Sequence, residues 1–262
     1  MNKQNTIQLS KNGRISTIWL NRPDIHNAIN IEMIREITEA MRALESDSET
    51  ALIIFRSNGD HFCSGADLGW MKDGLQQSAE ELTSESLELA QLFEMIYMSR
   101  KVTISAVHGK AIGGAIGLVA ASDIAIADDT AIFSFSEVKL GLIPATISPY
   151  VFRKMGSSRT REMMLTGRAF DAIEAYESGL VHRLCKPGGL EQSLSSLSKI
   201  LLSNGPSAMT GIKELMRHLE GNPDGKNLPE DTARLIAKFR LSDEGQEGMN
   251  AFLEKRKPDW LA

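Results

Sequence analysis

The stretch 103–128, TISAVHGKAIGGAIGLVAASDIAIAD, constrains the fold more than any other part of the chain. It reads as a strand ending on Gly109, a short helix of small residues over 113–123, and a second strand over 124–128. From Ala111 to Ala121 it offers no acid, base, nucleophile or metal ligand. Paired glycines at a helix start leave backbone N–H groups without intrahelical partners, and small side chains let a ligand approach them. Two readings stay open on this ground. The stretch is a site built from backbone donors, or its glycines only permit tight helix–strand packing.

The flanking text supports an α/β body. TIQLSKNGRISTIWLN places two alternating runs around Asn12-Gly13, a strong hairpin signal. Ile31, Ile34, Ile37, Met41 and Leu44 sit at helical spacing over 31–46. ALIIFRS (51–57) is a short apolar run of strand length. Ser78 and Glu81 form a capping-box pattern, which predicts a helix to about Arg100. AIFSF (131–135) reads as a further strand. Beyond Pro144 strands nearly vanish: a helix starts at Asp171 and stops at Gly179, LVHRLC (180–185) is one last strand, and 190–256 reads as three or four helices. The expected division is a core over 1–189 and a helical region over 190–262.

With 262 residues, the chain is long enough to bury a large core. Its net charge of −5 argues against a general nucleic-acid binder. Its two cysteines, Cys63 and Cys185, form no CxxC pattern, so no disulfide scaffold or zinc site is expected. No apolar run reaches the length of a membrane span, and the first residues show no signal-peptide pattern. A cytoplasmic location is the expectation.

A second junction resembles the first. Cys63-Ser64-Gly65-Ala66-Asp67 follows the strand 51–57 and leads into a helix. In open α/β folds ligands gather beyond strand C-termini. Two N–H groups aimed at one point would stabilise an oxyanion. The nucleotide-binding patterns GxGxxG and GxxxxGK[ST] and the GxSxG of lipases are all absent. The best acid is Glu137 in FSFSEVKLGLIPATISPY, expected to close an apolar strand. Among Phe133, Phe135, Val138 and Leu140 its carboxylate would be desolvated and its pKa raised towards proton-transfer range. An ordinary surface glutamate fits the same local pattern.

These segments together carry a resemblance. HFCSGADLGWM, HGKAIGGAIGLVAASDIAIA, FSFSEVKLGLIPATISPYV, LTGRAFDAIEAYESGLVHRL and NRPDIHNAIN occur in order, and the chain resembles the enoyl-CoA hydratase/isomerase (crotonase) family over essentially its whole length. The resemblance implies an α/β fold, a crotonase-like spiral of ββα turns with a helical C-terminal trimerisation region. It implies an acyl-CoA substrate, no metal or redox cofactor beyond the coenzyme A of that substrate, no nucleic-acid or membrane partner, and a homotrimer or hexamer. The catalytic set it implies is Glu137 with the N–H groups of Ala66 and Gly114. The substrate-binding set is Arg22, Ala28, Ala66, Asp67, Leu68, Gly69 and Gly114, with Arg22 available to a phosphate.

The chain also departs from the family pattern. Typical hydratases carry a second glutamate three residues after the second oxyanion glycine, where this chain has Gly117. SEVKLGLIPATISPYV and SDEGQEGMNAFLEKRKPDW resemble a bacterial subgroup that contains 3-methylglutaconyl-CoA and carboxygeranoyl-CoA hydratases. Hydration of 3-methylglutaconyl-CoA to 3-hydroxy-3-methylglutaryl-CoA by one glutamate is the leading expectation. A Δ3–Δ2 enoyl-CoA isomerase also needs one carboxylate, and a non-catalytic binding protein of the same fold is the alternative of a different class. Arg153, Lys154, Ser148 and Tyr150 are candidates for a distal substrate carboxylate.

Overall fold

The computed structural model describes residues 5–222 and 225–261. They form two compact units, Met1–Ser195 and Ser196–Ala262.

The first unit opens on the hairpin. Strands β1 (Ile7–Asn12) and β2 (Ile15–Leu20) pair antiparallel, Ile7 opposite Leu20, and Gly13 takes the φ of +56° that the tight turn needs. Helix α1 (Ile31–Ser46) starts where Asn30 accepts the Met33 N–H, and turns Met33, Ile34, Ile37, Ala40 and Met41 into the core. Strand β3 (Leu52–Ser57) is buried almost throughout and runs parallel to β2. Helix α2 (Leu68–Gly74) is short. Helix α3 (Ala79–Met98) carries the predicted capping box, with Glu81 N donating to Ser78 and Ser78 N donating to Glu81.

From there the chain winds. Strand β4 (Val102–Val107) is followed by β5 (Lys110–Ile112) and helix α4 (Gly114–Ala121). Strand β6 (Ile124–Asp128) is followed by β7 (Ile132–Ser134), a 3-10 turn at Ser136–Leu140 and helix α5 (Ser148–Thr166). Strand β8 (Ala169–Asp171), helix α6 (Ala172–Glu177) and strand β9 (Arg183–Cys185) complete the unit. The strands order as β1-β2-β3-β4-β6-β9 in one sheet and β5-β7-β8 in the other. In the large sheet every pair beyond the hairpin is parallel. Each full turn therefore adds one strand to the large sheet, one to the small sheet, and a helix: β4–β5–α4, then β6–β7–α5. A single bridge between Cys63 and Ala111 extends the small sheet toward the preceding turn. This is a spiral of ββα turns.

Three elements escape the sequence pattern. Strands β5 and β8 have three residues each, too few for alternation to register. Helix α5 contains Pro149 in its first turn and a break at Gly156 (φ +69°), which obscure its periodicity. Glu137 does not close a strand: β7 stops at Ser134, and Glu137 stands in the 3-10 turn that follows.

Helix α7 (Leu190–Leu202) leads into the second unit, where α8 (Pro206–Gly221), α9 (Leu228–Leu241) and α10 (Asp243–Glu254) follow. The Glu244 carboxylate caps α8 by accepting the N–H groups of Ser207 and Ala208, both at 2.8 Å. The Phe239 ring occupies the space a side chain at Gly211 would need. Among the described residues no helix is long and apolar enough to cross a membrane.

Candidate active site

Two backbone N–H groups frame the site. The first belongs to Ala66. The preceding carbonyl, of Gly65, accepts the Ile29 N–H at 2.7 Å, while Asp67 N donates to Ile29 O at 2.8 Å. A trans peptide points its C=O and N–H in opposite directions. Holding the Gly65 carbonyl against Ile29 thus sends the Ala66 N–H the other way. Gly65 has φ +99°, and a Cβ there would stand 3.2 Å from Ile112 O, so glycine is required.

The second N–H belongs to Gly114, the first residue of α4. Gly113 precedes it at φ +54°, ψ −124°, a conformation that favours glycine. Gly113 N donates to Ser134 O and Gly113 O accepts from Ile116 N, both at 2.8 Å, so Gly113 is fixed on both sides and the peptide carrying the Gly114 N–H is held through its carbonyl. Among the described residues neither the Ala66 nor the Gly114 N–H has a hydrogen-bond partner. Ile29 ties the two together. Its backbone pairs with Ala66, and its Cδ1 lies 3.8 Å from where a Cβ on Gly114 would stand. Ile112 N donates to Cys63 O at 3.1 Å, which joins the two junctions a second time.

Glu137 meets this frame at Gly113. A Cβ on Gly113 would stand 2.9 Å from Glu137 Oε1 and 3.3 Å from its Cδ. The carboxylate therefore rests on the backbone that leads into Gly114. Its Oε2 is buried and has no hydrogen-bond partner among the described residues. Burial pushes its pKa above the ordinary glutamate value, against a smaller opposing pull from its own backbone N–H. The expected apolar surround is only half present. Phe133 and Phe135 are fully buried, whereas Val138 and Leu140 are 38% and 61% exposed. The close glycine backbone contributes to the burial that the sequence reading assigned to those two side chains.

Gly117 lies one turn into α4, between Phe93 and Ile147, whose side chains fill the space a Cβ would take. No glutamate fits there without moving both. The single-carboxylate character of the site is thus built into its packing.

The substrate-binding residues read from the sequence gather in a corner beside Ala66. Arg22 Nη1 donates to Ala28 O at 2.6 Å, and Nη2 pairs with Asp67 at 2.8 Å. Asp67 caps α2, accepting the N–H groups of Gly69 at 2.7 Å and Trp70 at 3.1 Å. Burial raises its pKa, but bonds from Trp70, Arg22 and Gly69 outweigh that and leave it below the usual value. The sequence offered Arg22 to a phosphate; the structure engages its guanidinium with Asp67 and the Ala28 carbonyl. Leu68 is 82% exposed at the start of α2. Asn27, which the sequence reading did not single out, pins the corner. It is fully buried at φ +56°, accepts from Arg22 N, and donates to Asn58 O and His61 O.

Two candidates for a distal carboxylate are engaged elsewhere. Ser148 donates to Pro144 O at 2.7 Å, and Lys154 donates to Val119 O and Ser122 O. Tyr150 is buried against Phe93 and Tyr97, and the Arg153 guanidinium lies over the Tyr97 ring. Cys63 is buried, and that burial pushes its thiol up to about 12, so it stays protonated.

The residues missed in the sequence are mostly apolar or glycine: Ile29, Phe93, Gly113 and Ile147. Only Gly113 carried a signal, in its pairing with Gly114.

A family model described as enoyl-CoA hydratase/isomerase matches residues 10–262. The enoyl-CoA hydratase AKT6-1 of Alternaria alternata is 32% identical over 92% of this chain and 78% of its own. A crystal structure of an enoyl-CoA hydratase from Shewanella pealeana superposes with a TM-score of 0.93 at 41% identity, covering 97% of this chain and 96% of that one. The structure of Pseudomonas aeruginosa AtuE superposes with a TM-score of 0.92 at 32% identity, covering 98% and 100%.

Proposed function

The chain belongs to the enoyl-CoA hydratase/isomerase (crotonase) family, and from that premise we propose that it hydrates a 2-enoyl-CoA thioester, with 3-methylglutaconyl-CoA as substrate and 3-hydroxy-3-methylglutaryl-CoA as product. One observation carries the reading: the desolvated Glu137 carboxylate rests on Gly113, next to the Gly114 N–H, which has no partner among the described residues.

A 2-enoyl thioester is electrophilic at C3. Water attacks C3 while Glu137 takes its proton, and the electron pair of the double bond moves onto the thioester oxygen. The N–H groups of Ala66 and Gly114 stabilise that enolate; each such donor contributes about 10²–10³ in rate. The carbonyl re-forms as C2 takes a proton, and the protonated Glu137 returns the one it accepted. One carboxylate serves both transfers, worth about 10²–10⁴ as a general base. This matches a site in which Phe93 and Ile147 leave no room for a second glutamate at position 117. The reaction needs no metal or redox group, only the coenzyme A that the substrate brings. We place the enzyme in the cytoplasm and assign it a homotrimer or a hexamer of paired trimers.

The test is a panel of acyl-CoA esters containing 3-methylglutaconyl-CoA, crotonyl-CoA and a 3-enoyl-CoA, run on the wild-type chain and on Glu137→Gln. The expected result is hydration of 3-methylglutaconyl-CoA with solvent oxygen in the product. Glu137→Gln should lose at least about 10²-fold in kcat with ester binding retained. Undiminished turnover in the variant removes Glu137 from the reaction. Conversion of the 3-enoyl-CoA without incorporation of solvent oxygen replaces hydration by Δ3–Δ2 isomerisation. No turnover of any ester leaves a binding protein of the same fold.

A further inference from the structure

Helix α4 is held at both ends. Its first residue presents the Gly114 N–H, and its last turn ends at Ala121 with Ser122 as cap. Seven of its eight residues are buried and none is charged, so it has no polar side chain to fix its position. The carbonyls of a last helical turn need donors from outside the helix. Ser105 and Ser122 donate to Leu118 O, and Lys154, on α5, supplies two further bonds. Its Nζ donates to Val119 O at 3.0 Å and to Ser122 O at 2.7 Å. The Lys154 backbone is closely packed as well: a Cβ on Gly179 would stand 2.8 Å from its carbonyl oxygen. A cation at a helix C-terminus offsets the negative pole there and so stabilises the last turn.

We propose that Lys154 is a positioning residue for the oxyanion donor: from the far end of α4 it seats the helix so that the Gly114 N–H meets the thioester oxygen. The proposal rests on the reading that Gly114 stabilises an enolate.

A pH signature follows. Burial pulls the Lys154 ammonium down to about 7, against the attraction of Asp123. Among the described residues two titratable groups face it. The Asp123 carboxylate is held by Thr103 N and Oγ1. His182, its Nδ1 accepting from Ala125 N, is pulled down to about 4 by burial and by Lys154, and is neutral across this range. Activity therefore rises with pH as Glu137 loses its proton and falls again as Lys154 loses its own.

The experiment uses the full chain and the ester it turns over fastest in the panel above, labelled with ¹³C at the thioester carbonyl. Infrared difference spectra of the bound ester are taken in Glu137→Gln, which halts turnover, and in the same background with Lys154→Gln or Lys154→Arg. The carbonyl band should move to lower frequency on binding to Glu137→Gln. That shift should shrink when Lys154→Gln is added and be restored by Lys154→Arg, with ester Kd unchanged. In the otherwise wild-type chain, Lys154→Gln should lower kcat about three- to tenfold and abolish the alkaline fall near pH 7. An unchanged band shift with unchanged kcat and pH profile overturns the proposal and leaves the hydratase reading standing. No band shift in Glu137→Gln itself, or no turnover of any ester, overturns the hydratase reading instead. Should Lys154→Gln not fold, Lys154→Arg decides alone: the alkaline fall should move up by more than one pH unit, and an unmoved fall overturns the proposal.

Discussion

At the scale of single residues, Glu137 shows function set against stability. Its carboxylate is desolvated, with no partner for Oε2 among the described residues, so folding favours its protonated form. Below the ordinary glutamate value both folded and unfolded chains carry the proton. As pH rises through the raised folded pKa, the unfolded chain has already released its proton and the folded chain must ionise a buried group. The folded state therefore loses stability over that window. Glu137→Gln, inert as a base, should melt at a higher temperature than the wild type at pH 8, with the difference vanishing near pH 4. Thermal denaturation at the two pH values checks this, and a lower Tm for the variant at pH 8 contradicts the assignment of an unpartnered carboxylate. Glu137 stood out in the sequence as a candidate acid, since Phe135, Val138 and Leu140 surround it. Its spatial surroundings were not legible there, because Val138 and Leu140 turn outward and the contact comes from Gly113, 24 positions earlier in the numbering.

At the scale of elements, the β5–α4 junction brings the candidate site together. Strand β5 is short, but it pairs with β7 through Ala111–Phe133, and that register brings the 3-10 turn bearing Glu137 up against Gly113. Gly113 is the point where three demands meet: positive φ, close approach of a carboxylate, and the orientation of the next N–H. Gly113→Ala should therefore displace Glu137 and turn the Gly114 N–H together. We expect a fall in kcat of at least about 10²-fold and a stability loss of about 1–3 kcal/mol, read by kinetics and by urea denaturation. A variant with wild-type kcat would show that the peptide before Gly114 tolerates reorientation. Elements with long, regular patterns were legible in the sequence: the hairpin around Asn12-Gly13, α1, and α3 with its capping box. The short strands β5 and β8 were not, because three residues bury too little to leave a period.

At the scale of the whole molecule, the second unit leaves apolar side chains uncovered. Ile212, Ile236, Leu241, Phe252 and Leu253 are each more than half exposed. Apolar surface of this kind, where it is contiguous, marks a contact surface. We expect sedimentation to give three or six times the mass of one chain, and Leu253→Glu with Phe252→Glu to shift it toward the monomer. A wild-type chain that sediments as a stable monomer at micromolar concentration would oppose the oligomeric assignment. What the sequence by itself determined was local: where helices start, where the hairpin turns, which glycines stand at helix N-termini, and that Glu137 is the candidate acid. Those features depend on neighbours a few residues apart, which a pattern records. Tertiary structure alone decided what Glu137 rests on, why Gly117 admits no second carboxylate, and that the Lys154 ammonium meets the carbonyls at the end of α4. Each of these is a contact between residues far apart in the chain, set by how two sheets wind past one another, and no local pattern encodes such a distance.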